Sequence, residues 1–311
     1  MTPRTQAGTI YVAGNVDVDL ILGPLAQWPR VGTETVLPHS EMRAGGQAGN
    51  TGLALAALGA RHRVVANMGD DALGQWLRDS FAQSAPHWPR SAVAATLTVG
   101  IVHPDGERTF FTTVGHLAQF NPDHVLSQLP EVAEVGDTVL VCGIFLSPLL
   151  VAGCRRLFDT LKARGFNTAL DTGWPNEGWD AVRAQVASWL PRIDHVLLNE
   201  LETTALSGLE NIDDAAHWFL ERLPPGATLV VKRGPEGAVA WRSDEHTLCP
   251  AEPVHVVDTI GAGDVFNAGY LYEHATGGSL AGSVRMGVRT ASTAISTLPR
   301  RFIADEEPST T

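Results

Sequence analysis

From about residue 138 onward, short β-rich runs alternate with helical stretches, and this alternation constrains the fold more than any other feature. The β-rich runs read TVLVCG, NTALDT, HVLLNE and TLVVKRG. Between them lie stretches with helical spacing, such as LLVAGCRRLFDTLKARG and DDAAHWFLERL. Strands that alternate with helices form a parallel sheet with helices on both faces. We therefore expect an α/β fold with a three-layer α/β/α core and a mainly parallel sheet, with ligands at the carboxyl ends of the strands.

Two earlier regions do not follow this alternation. TLTVGIVHPDGERTFFTTV reads as a hairpin, because Pro104, Asp105 and Gly106 form a strong turn signal between two β-rich runs. VGTETVLPHSEMRAGG also has the composition of an extended strand. We predict a small β-sheet lid over the site, with strands roughly within residues 16–44 and 95–116. The alternative is that the hairpin is an edge of the main sheet.

Length and charge limit the classes of function. We treat residues 1–311 as a single domain, and the net charge of -12 argues against nucleic-acid and anionic-membrane binding, which need basic surface. The longest apolar run, VLVCGIFLSPLLVAG, contains Pro148 and is too short to span a bilayer. The N-terminal MTPRTQAG has no apolar signal core, and the three cysteines form no CxxC pair. We expect a cytoplasmic protein.

The stretch VVDTIGAGDVFNAGYL contains the strongest candidate for chemistry. Gly261 and Gly263 flank Ala262 just before a run with helical spacing, and the N–H groups at a helix start bind anions. Asp264 then lies in the first turn, where a carboxylate accepts a hydroxyl proton while the amides hold a phosphoryl group. The simpler interpretation is a helix cap, which contributes roughly 0.5–2 kcal/mol. The sequence contains neither GxxxxGK[ST] nor a strand followed by GxGxxG, so a P-loop and a dinucleotide-binding fingerprint are absent.

Four further motifs place polar groups or glycines near predicted strand ends. In YVAGNVDVDLIL, alternation puts Asn15, Asp17 and Asp19 on one face, either to bind a polyol or to face solvent. RAGGQAGN precedes an Ala- and Leu-rich helix, and HVLLNELE and VVKRGPEG each follow a β-rich run. Asn199 and Glu202 form either a helix cap or an indirect Mg²⁺ site. The KRGPEG turn either passes over a nucleotide or is only a turn.

Together these motifs resemble the ribokinase family of carbohydrate kinases (PfkB type). DTIGAGDVF is similar to the C-terminal signature of that family, and AGGQAGNTGLALAALGA to its N-terminal signature. NMGDDALG, NELE and KRGPEG lie between them in the expected order, so the resemblance spans nearly the whole chain. It implies a ribokinase-like fold that carries out ATP-dependent phosphorylation of a sugar-like hydroxyl.

The resemblance also implies a role for each matched residue. The catalytic group comprises the base Asp264 and the anion hole Gly261, Ala262 and Gly263. The sugar-holding group comprises Asp17, Asp19, Gly45, Gly46 and Asn50. The group for ATP and Mg²⁺ comprises Asn199, Glu202, Lys232, Gly234, Gly237 and Val288, with Glu202 contacting Mg²⁺ indirectly. Asp258 matches a position that some members use for a monovalent cation, usually K⁺.

Specificity and assembly are less constrained. Leu146 stands where ribokinases tend to carry a sugar-binding glutamate, which argues against ribose. Arg108 either meets an anionic substrate or stays solvated. The substrate is a sugar, or a nucleoside on the same scaffold, and a non-catalytic ligand-binding protein is the remaining alternative. The resemblance also makes a homodimer through the lid an expectation.

Overall fold

The computed structural model describes residues 8–104 and 107–303, and its strands and helices alternate through most of that range. The strands are β1 (Ile10–Gly14), β2 (Asp17–Gly23), β3 (His39–Gly45), β4 (His62–Val65), β5 (Met68–Gly69), β6 (Arg90–Ser91), β7 (Leu97–Val102), β8 (Arg108–Thr112), β9 (Thr138–Cys142), β10 (Asn167–Asp171), β11 (His195–Asn199), β12 (Thr228–Lys232), β13 (Ala238–Arg242) and β14 (Glu245–Cys249). The α-helices are α1 (Gln47–Ala57), α2 (Ala72–Ser80), α3 (Pro122–Leu126), α4 (Pro148–Ala163), α5 (Trp179–Trp189), α6 (Glu200–Ser207), α7 (Ile212–Leu220), α8 (Ala262–Ala275) and α9 (Leu280–Ser296).

The main sheet has eight strands in the order β14-β13-β12-β11-β10-β9-β1-β4. The six strands from β12 to β4 pair in parallel, and β13 and β14 add an antiparallel edge. Every residue of β1 and β9 is buried, as expected for central strands that are covered on both faces. The four β-rich runs after residue 138 are β9 to β12, so the predicted mainly parallel sheet is confirmed.

Helices cover both faces of this sheet and create two hydrophobic cores. Successive residues of one strand point to opposite faces, so Tyr11 and Ala13 lie in one core and Ile10 and Val12 in the other. Helices α3 to α7 contribute to the first core, and α1, α2, α8 and α9 to the second. The expected three-layer α/β/α arrangement is therefore confirmed. None of the helices in the described ranges combines the length and hydropathy that a membrane span needs.

A second sheet of four strands, β3-β2-β7-β8, stands apart from the main sheet. Strands β7 and β8 form the predicted hairpin, with Val102 opposite Arg108, so the interpretation as an edge of the main sheet is wrong. Asp105 and Gly106 of the predicted turn lie outside the described residues. The extended strand predicted from residue 31 is too long, because residues 31–38 form a turn and irregular chain and β3 begins only at His39. A role of this sheet as a lid remains a prediction.

Two helices begin side by side where the sheets meet. Strand β3 of the second sheet runs through Gly45 and Gly46 directly into α1, and α1 packs against α8. Strands β10, β11 and β12 end nearby, because the carboxyl ends of parallel strands share one edge. This edge brings most of the predicted site residues together.

Candidate active site

The start of α8 is open because glycines occupy it. Gly261 is the N-cap residue in the left-handed conformation, with φ 72°. A Cβ at Gly261 would lie 2.6 Å from Asn50 Nδ2, and one at Gly263 would lie 3.3 Å from Lys232 Nζ. A Cβ at Gly261 would therefore displace Asn50, and one at Gly263 would crowd the Lys232 ammonium. The glycines keep the helix start accessible, and the Lys232 ammonium lies beside it.

The first turn of α8 refines the predicted anion hole. The Ala262 N–H donates to the Thr259 carbonyl at 3.1 Å, so this amide already has a partner. The first N–H groups of a helix have no acceptor within the helix. The amides of Gly263 and Asp264, rather than that of Ala262, are therefore the natural donors for an anion. The dipole of α8 favours negative charge at the same place.

Asp264 is buried at this helix start and does not cap it. The N-cap residue of α8 is Gly261, and no side-chain cap bond is formed, so the capping interpretation is wrong. Instead Asp264 Oδ2 accepts a hydrogen bond from Asn50 Nδ2 at 2.9 Å. Burial, and then the charge of Asp171, raise the pKa of Asp264 to about 8. A carboxylate with a raised pKa beside an anion site is suited to receive a proton.

The double glycine before α1 lets the chain pass two carboxylates. A Cβ at Gly45 would lie 2.0 Å from Asp19 Oδ2, and one at Gly46 would lie 2.8 Å from Asp17 Oδ1. Gly46 also has φ 80°, which favours glycine. The double glycine of RAGGQAGN therefore has a physical explanation, because only glycine fits beside these aspartates. Asn50, four residues into α1, faces Asp264 rather than open space.

Asp17 and Asp19 are buried, with 2% and 6% of their surface exposed, so the solvent-exposed interpretation is wrong. Burial, and then the charge of Asp19, raise the pKa of Asp17 to about 7. Burial also raises the pKa of Asp19 to about 6, against the charges of Arg43 and Arg300. Asp17 Oδ1 has no hydrogen-bond partner in the protein. An unpaired buried carboxylate oxygen fits the hydroxyl donor of a polyol.

A buried ion pair joins the strand ends behind this pocket. Lys232 Nζ lies 2.7 Å from Asp171 Oδ2, which also accepts from Asn267 Nδ2 at 2.6 Å. Asp171 is only 1% exposed, and its Oδ1 has no partner in the protein. Sequence reasoning missed Asp171 and Asn267. Asp171 ends a predicted strand at the edge where ligands bind, and that position was the available signal.

Asn199 and Glu202 bind each other in a capping box at the start of α6. The Asn199 N–H donates to Glu202 Oε2, and the Glu202 N–H donates to Asn199 Oδ1, both at 2.8 Å. Glu202 is 7% exposed, and burial followed by the charge of Asp171 raises its pKa to about 7. The helix-cap interpretation is therefore confirmed. Across residues 8–104 and 107–303 no three acidic, histidine or cysteine side chains group as a metal site. The indirect Mg²⁺ contact of Glu202 remains a prediction.

The KRGPEG motif forms the tight turn that the sequence predicts. Residues Gly234–Glu236 make one 3₁₀ turn between β12 and β13. Gly237 has φ 87°, and a Cβ there would lie 2.0 Å from the Cys249 carbonyl oxygen. Val288 is buried on α9. The turn is thus explained by local geometry, and its contact with a nucleotide remains a prediction.

Gln47 is a third residue that sequence reasoning missed. Its Oε1 is buried without a hydrogen-bond partner in the protein. A Cβ at Gly173 would lie 2.6 Å from that oxygen, and one at Gly143 would lie 3.1 Å from it. A hydrogen bond from Gln47 is also among the influences that lower the pKa of Asp264, although burial outweighs them. Leu146 follows Gly143 in a 3₁₀ turn at the same edge.

Asp258 has partners other than the monovalent cation that the resemblance implies. Its two carboxylate oxygens lie 2.7 Å from Arg43, 3.0 Å from Arg108 and 3.0 Å from Arg300. A cation at this carboxylate would face three guanidinium groups, so we do not place K⁺ there. Arg108 is not solvated either, because only 17% of its side chain is exposed.

Known proteins provide an independent comparison. Residues 14–299 match the sequence model of a protein family that is described as pfkB family carbohydrate kinase. Fructokinase from Klebsiella pneumoniae is 30% identical over 278 residues, which cover 85% of this chain and 83% of the relative. Cytidine kinase from Thermococcus kodakarensis is 24% identical over 290 residues, which cover 91% of this chain and 94% of the relative. The crystal structure of a ribokinase from Thermotoga maritima matches with a TM-score of 0.75 at 21% identity, covering 94% of each chain, and confirms the expected fold.

Proposed function

The chain belongs to the pfkB family of carbohydrate kinases, and on that premise we propose that it transfers a phosphoryl group from ATP in line to a sugar hydroxyl, with Asp264 as general base. The observation that carries this proposal is the arrangement around the start of α8. A buried carboxylate with a raised pKa and helix-start amides lie within the first turn of α8, and the Lys232 ammonium from β12 lies beside that turn. Proton acceptance and phosphoryl binding are thereby combined at one place.

Positioning and charge stabilisation carry most of the acceleration in phosphoryl transfer, because the transition state is loose. The amides of Gly263 and Asp264 and the Lys232 ammonium are suited to hold the transferred group. The Asp264 carboxylate accepts the hydroxyl proton, and Asn50 holds that carboxylate in place through its 2.9 Å hydrogen bond. Asp17 and Asp19 accept hydrogen bonds from the other hydroxyls of the sugar.

The residues present also fit a nucleotide and a hydrated Mg²⁺ ion. The helix start and Lys232 supply donors for phosphate oxygens, and Asp171 Oδ1 is a buried acceptor without a partner in the protein. Glu202 and Asp171 would hold the metal through its water ligands, and Mg²⁺ bound there supplies charge neutralisation for the phosphate oxygens. The KRGPEG turn and Val288 are the positions that we propose to face the nucleotide.

A nucleoside is the second candidate acceptor. The curated relatives include a cytidine kinase whose match covers 91% of this chain, more than the 85% covered by the fructokinase. The two candidates share the base and the anion site, and differ only in whether Asp17 and Asp19 hold a free sugar or the ribose of a nucleoside. The class of acceptor therefore needs direct measurement.

The test is a screen of ATP consumption against neutral sugars, sugar acids, sugar phosphates and nucleosides, with Mg²⁺ and with or without K⁺. Turnover with a sugar, and its loss in Asp264→Asn, supports the proposal. Turnover with nucleosides alone supports the second candidate. Ligand-dependent stabilisation against heat without turnover of ATP would instead support the non-catalytic alternative, and the kinase proposal would fall.

We also propose a homodimer formed through the second sheet. Large apolar side chains on this sheet and the loop before β3 are about half exposed, namely Trp28, Met42, Phe110 and Phe111. Met42 and Phe111 share one face of the sheet, where the Trp28 ring lies 6.0 Å from that of Phe111, and Phe110 points to the other face. Exposed apolar groups on one face are typical of association surfaces. Sedimentation of the wild type and of Phe111→Lys tests this. A dimer that dissociates in the variant supports the proposal, and a wild-type monomer at micromolar concentration contradicts it.

A further inference from the structure

Three arginines from distant parts of the chain converge beside the proposed sugar pocket. Arg43 lies on β3, Arg108 on β8, and Arg300 in the segment after α9. All three reach the carboxylate of Asp258, at 2.7 to 3.0 Å. Their side chains are only 17% to 18% exposed. Partial burial of three like charges is costly, so a shared partner is needed to hold them together.

Asp258 uses only part of the donor capacity of this cluster. Each guanidinium has five N–H donors. Three buried nitrogens, Arg43 Nε, Arg43 Nη2 and Arg108 Nε, have no hydrogen-bond partner in the protein. Glu41 lies 4.0 Å from Arg43, which is too far for a hydrogen bond, and is 43% exposed. The described groups therefore leave excess positive charge and unpaired donors at one place.

The arginine cluster adjoins both Asp19, which we propose to hold the sugar, and the chain just before the start of α8. Arg43 pairs directly opposite Asp19 across β2 and β3, and directly opposed residues share a face of the sheet. Arg300 Nη2 donates to the Ile260 carbonyl at 2.6 Å, one residue before Gly261. Arg108 Nη1 donates to Thr259 Oγ1 at 2.5 Å. A sugar held by Asp19 and directed at Asp264 would therefore have the arginines along one side.

We propose that Arg43, Arg108 and Arg300 form a subsite for an anionic substituent of the sugar, so that the substrate class is a sugar that carries a carboxylate or a phosphate. This inference rests on the proposed sugar-kinase function. Planar guanidinium groups bind both anions through paired N–H donors. In this arrangement Asp258 orients the arginines, and the substrate anion takes the donors that the protein leaves unpaired.

The competing interpretation is that the arginines bind Asp258 only to fasten the second sheet onto the core. That role leaves the buried unpaired nitrogens of Arg43 and Arg108 without a function, whereas an anion ligand would satisfy them. The two interpretations predict different kinetics. A structural role lowers stability and affects all substrates alike, and an anion subsite affects only anionic ones.

The test compares matched pairs of acceptors, namely fructose with fructose 6-phosphate and glucose with glucuronate. The measurements are binding by calorimetry and kcat/KM, for the wild type and for Arg108→Gln, Arg108→Lys and Arg43→Gln. We expect the wild type to prefer the anionic member of at least one pair. Each Gln variant should reduce that preference by about 10- to 100-fold, because a charge-assisted hydrogen bond is lost. Arg108→Lys should restore part of it, since charge returns without the planar fork.

Arg156→Gln on α4 is the control, because Arg156 is 57% exposed and pairs with the exposed Asp123. A wild type that phosphorylates neutral sugars and neither binds nor phosphorylates the anionic members overturns the inference and leaves the kinase proposal standing. An unchanged preference in both Gln variants also overturns it. A change in the KM for ATP alone would assign the arginines to the nucleotide and overturn the sugar subsite. Calorimetric preference without any turnover would support the subsite and contradict the kinase proposal.

Discussion

Replacing Asp264 by asparagine removes the proposed base and leaves its surroundings nearly intact. The amide has the shape of the carboxylate, and its oxygen still accepts the hydrogen bond that Asn50 now donates to Asp264 at 2.9 Å. The helix start is also preserved, because Gly261 rather than Asp264 occupies the N-cap. Loss of a general base typically lowers turnover by about 10²- to 10⁴-fold. We therefore expect kcat to fall by that factor while ATP binding, measured by calorimetry, stays within threefold.

The same variant should be more stable than the wild type at alkaline pH. Burial raises the pKa of Asp264 from its ordinary 3.8 to about 8, so the fold favours the protonated form. That contribution to stability is fully present below the unfolded pKa and is lost as the pH rises through the folded one. From pH 5 to pH 9, the wild type should therefore lose about 4 kcal/mol more stability than Asp264→Asn.

Urea denaturation at both pH values measures this difference, and coupled ATP turnover measures the activity. Asp180→Asn is the matched control, because its carboxylate is 90% exposed in the first turn of α5. The control should change neither quantity. Turnover of Asp264→Asn within fivefold of the wild type would refute the role as base. A stability difference that stays constant from pH 5 to pH 9 would refute the argument from burial.

Three further perturbations test other parts of the site. In the pH profile, kcat/KM should rise from pH 6 to about pH 8, because Asp264 must lose its proton to act as a base, and a profile that falls over this range would contradict that role. Gly261→Ala introduces a Cβ 2.6 Å from Asn50 Nδ2 at a residue with φ 72°. Gly59→Ala is the control for backbone strain, because Gly59 has φ 69° and a Cβ there would have nothing within 4 Å. The kcat of Gly261→Ala should be at least tenfold lower than that of Gly59→Ala. Equal activities of these two variants would show that only backbone strain matters. Asp171→Asn leaves the buried Lys232 without its 2.7 Å carboxylate partner and should lower the free energy of unfolding, measured by urea denaturation, by about 3–5 kcal/mol. The exposed Asp123→Asn should lower it by less than about 1 kcal/mol. Similar losses in both variants would contradict the importance of the buried pair.

Sequence periodicity predicted the core well because it reports burial directly. The runs that became β9 to β12 are apolar and buried at their centres, which is typical of strands covered on both faces. The stretch before β3 was less predictable. Its valines and threonines favour a strand, yet residues 31–38 are irregular, and Val31 and Val36 are almost fully exposed. Strand propensity needs a neighbouring strand to act on, and the sequence does not say which segments have one.

The site shows the same division between local and distant information. The glycines before α1 and α8 were predictable from the sequence. Close approach of any group to the backbone requires glycine, whether that group is a ligand or a side chain of the protein. The residues that pair with one another in the site could not be predicted from the sequence. Asn50 lies 214 residues from Asp264, and Asp258 lies 215 residues from Arg43, so no local pattern joins them. These long-range pairs matter for the proposed chemistry, because Asn50 donates to the proposed base and three arginines surround the carboxylate that the resemblance assigned to K⁺.

The net charge argues against polyanionic partners but does not decide whether the proposed site takes a small anion. A net charge of -12 argues against binding anionic polymers, and only two lysines are present. Folding nevertheless gathers Arg43, Arg108 and Arg300 around one carboxylate at the edge of the proposed sugar pocket. An acidic surface repels diffuse polyanions through the summed field, whereas a small anion responds to the few donors within hydrogen-bond distance. The net charge and an anionic substrate are therefore compatible, and the acidic exterior would favour release of a product that carries one more phosphate than the substrate.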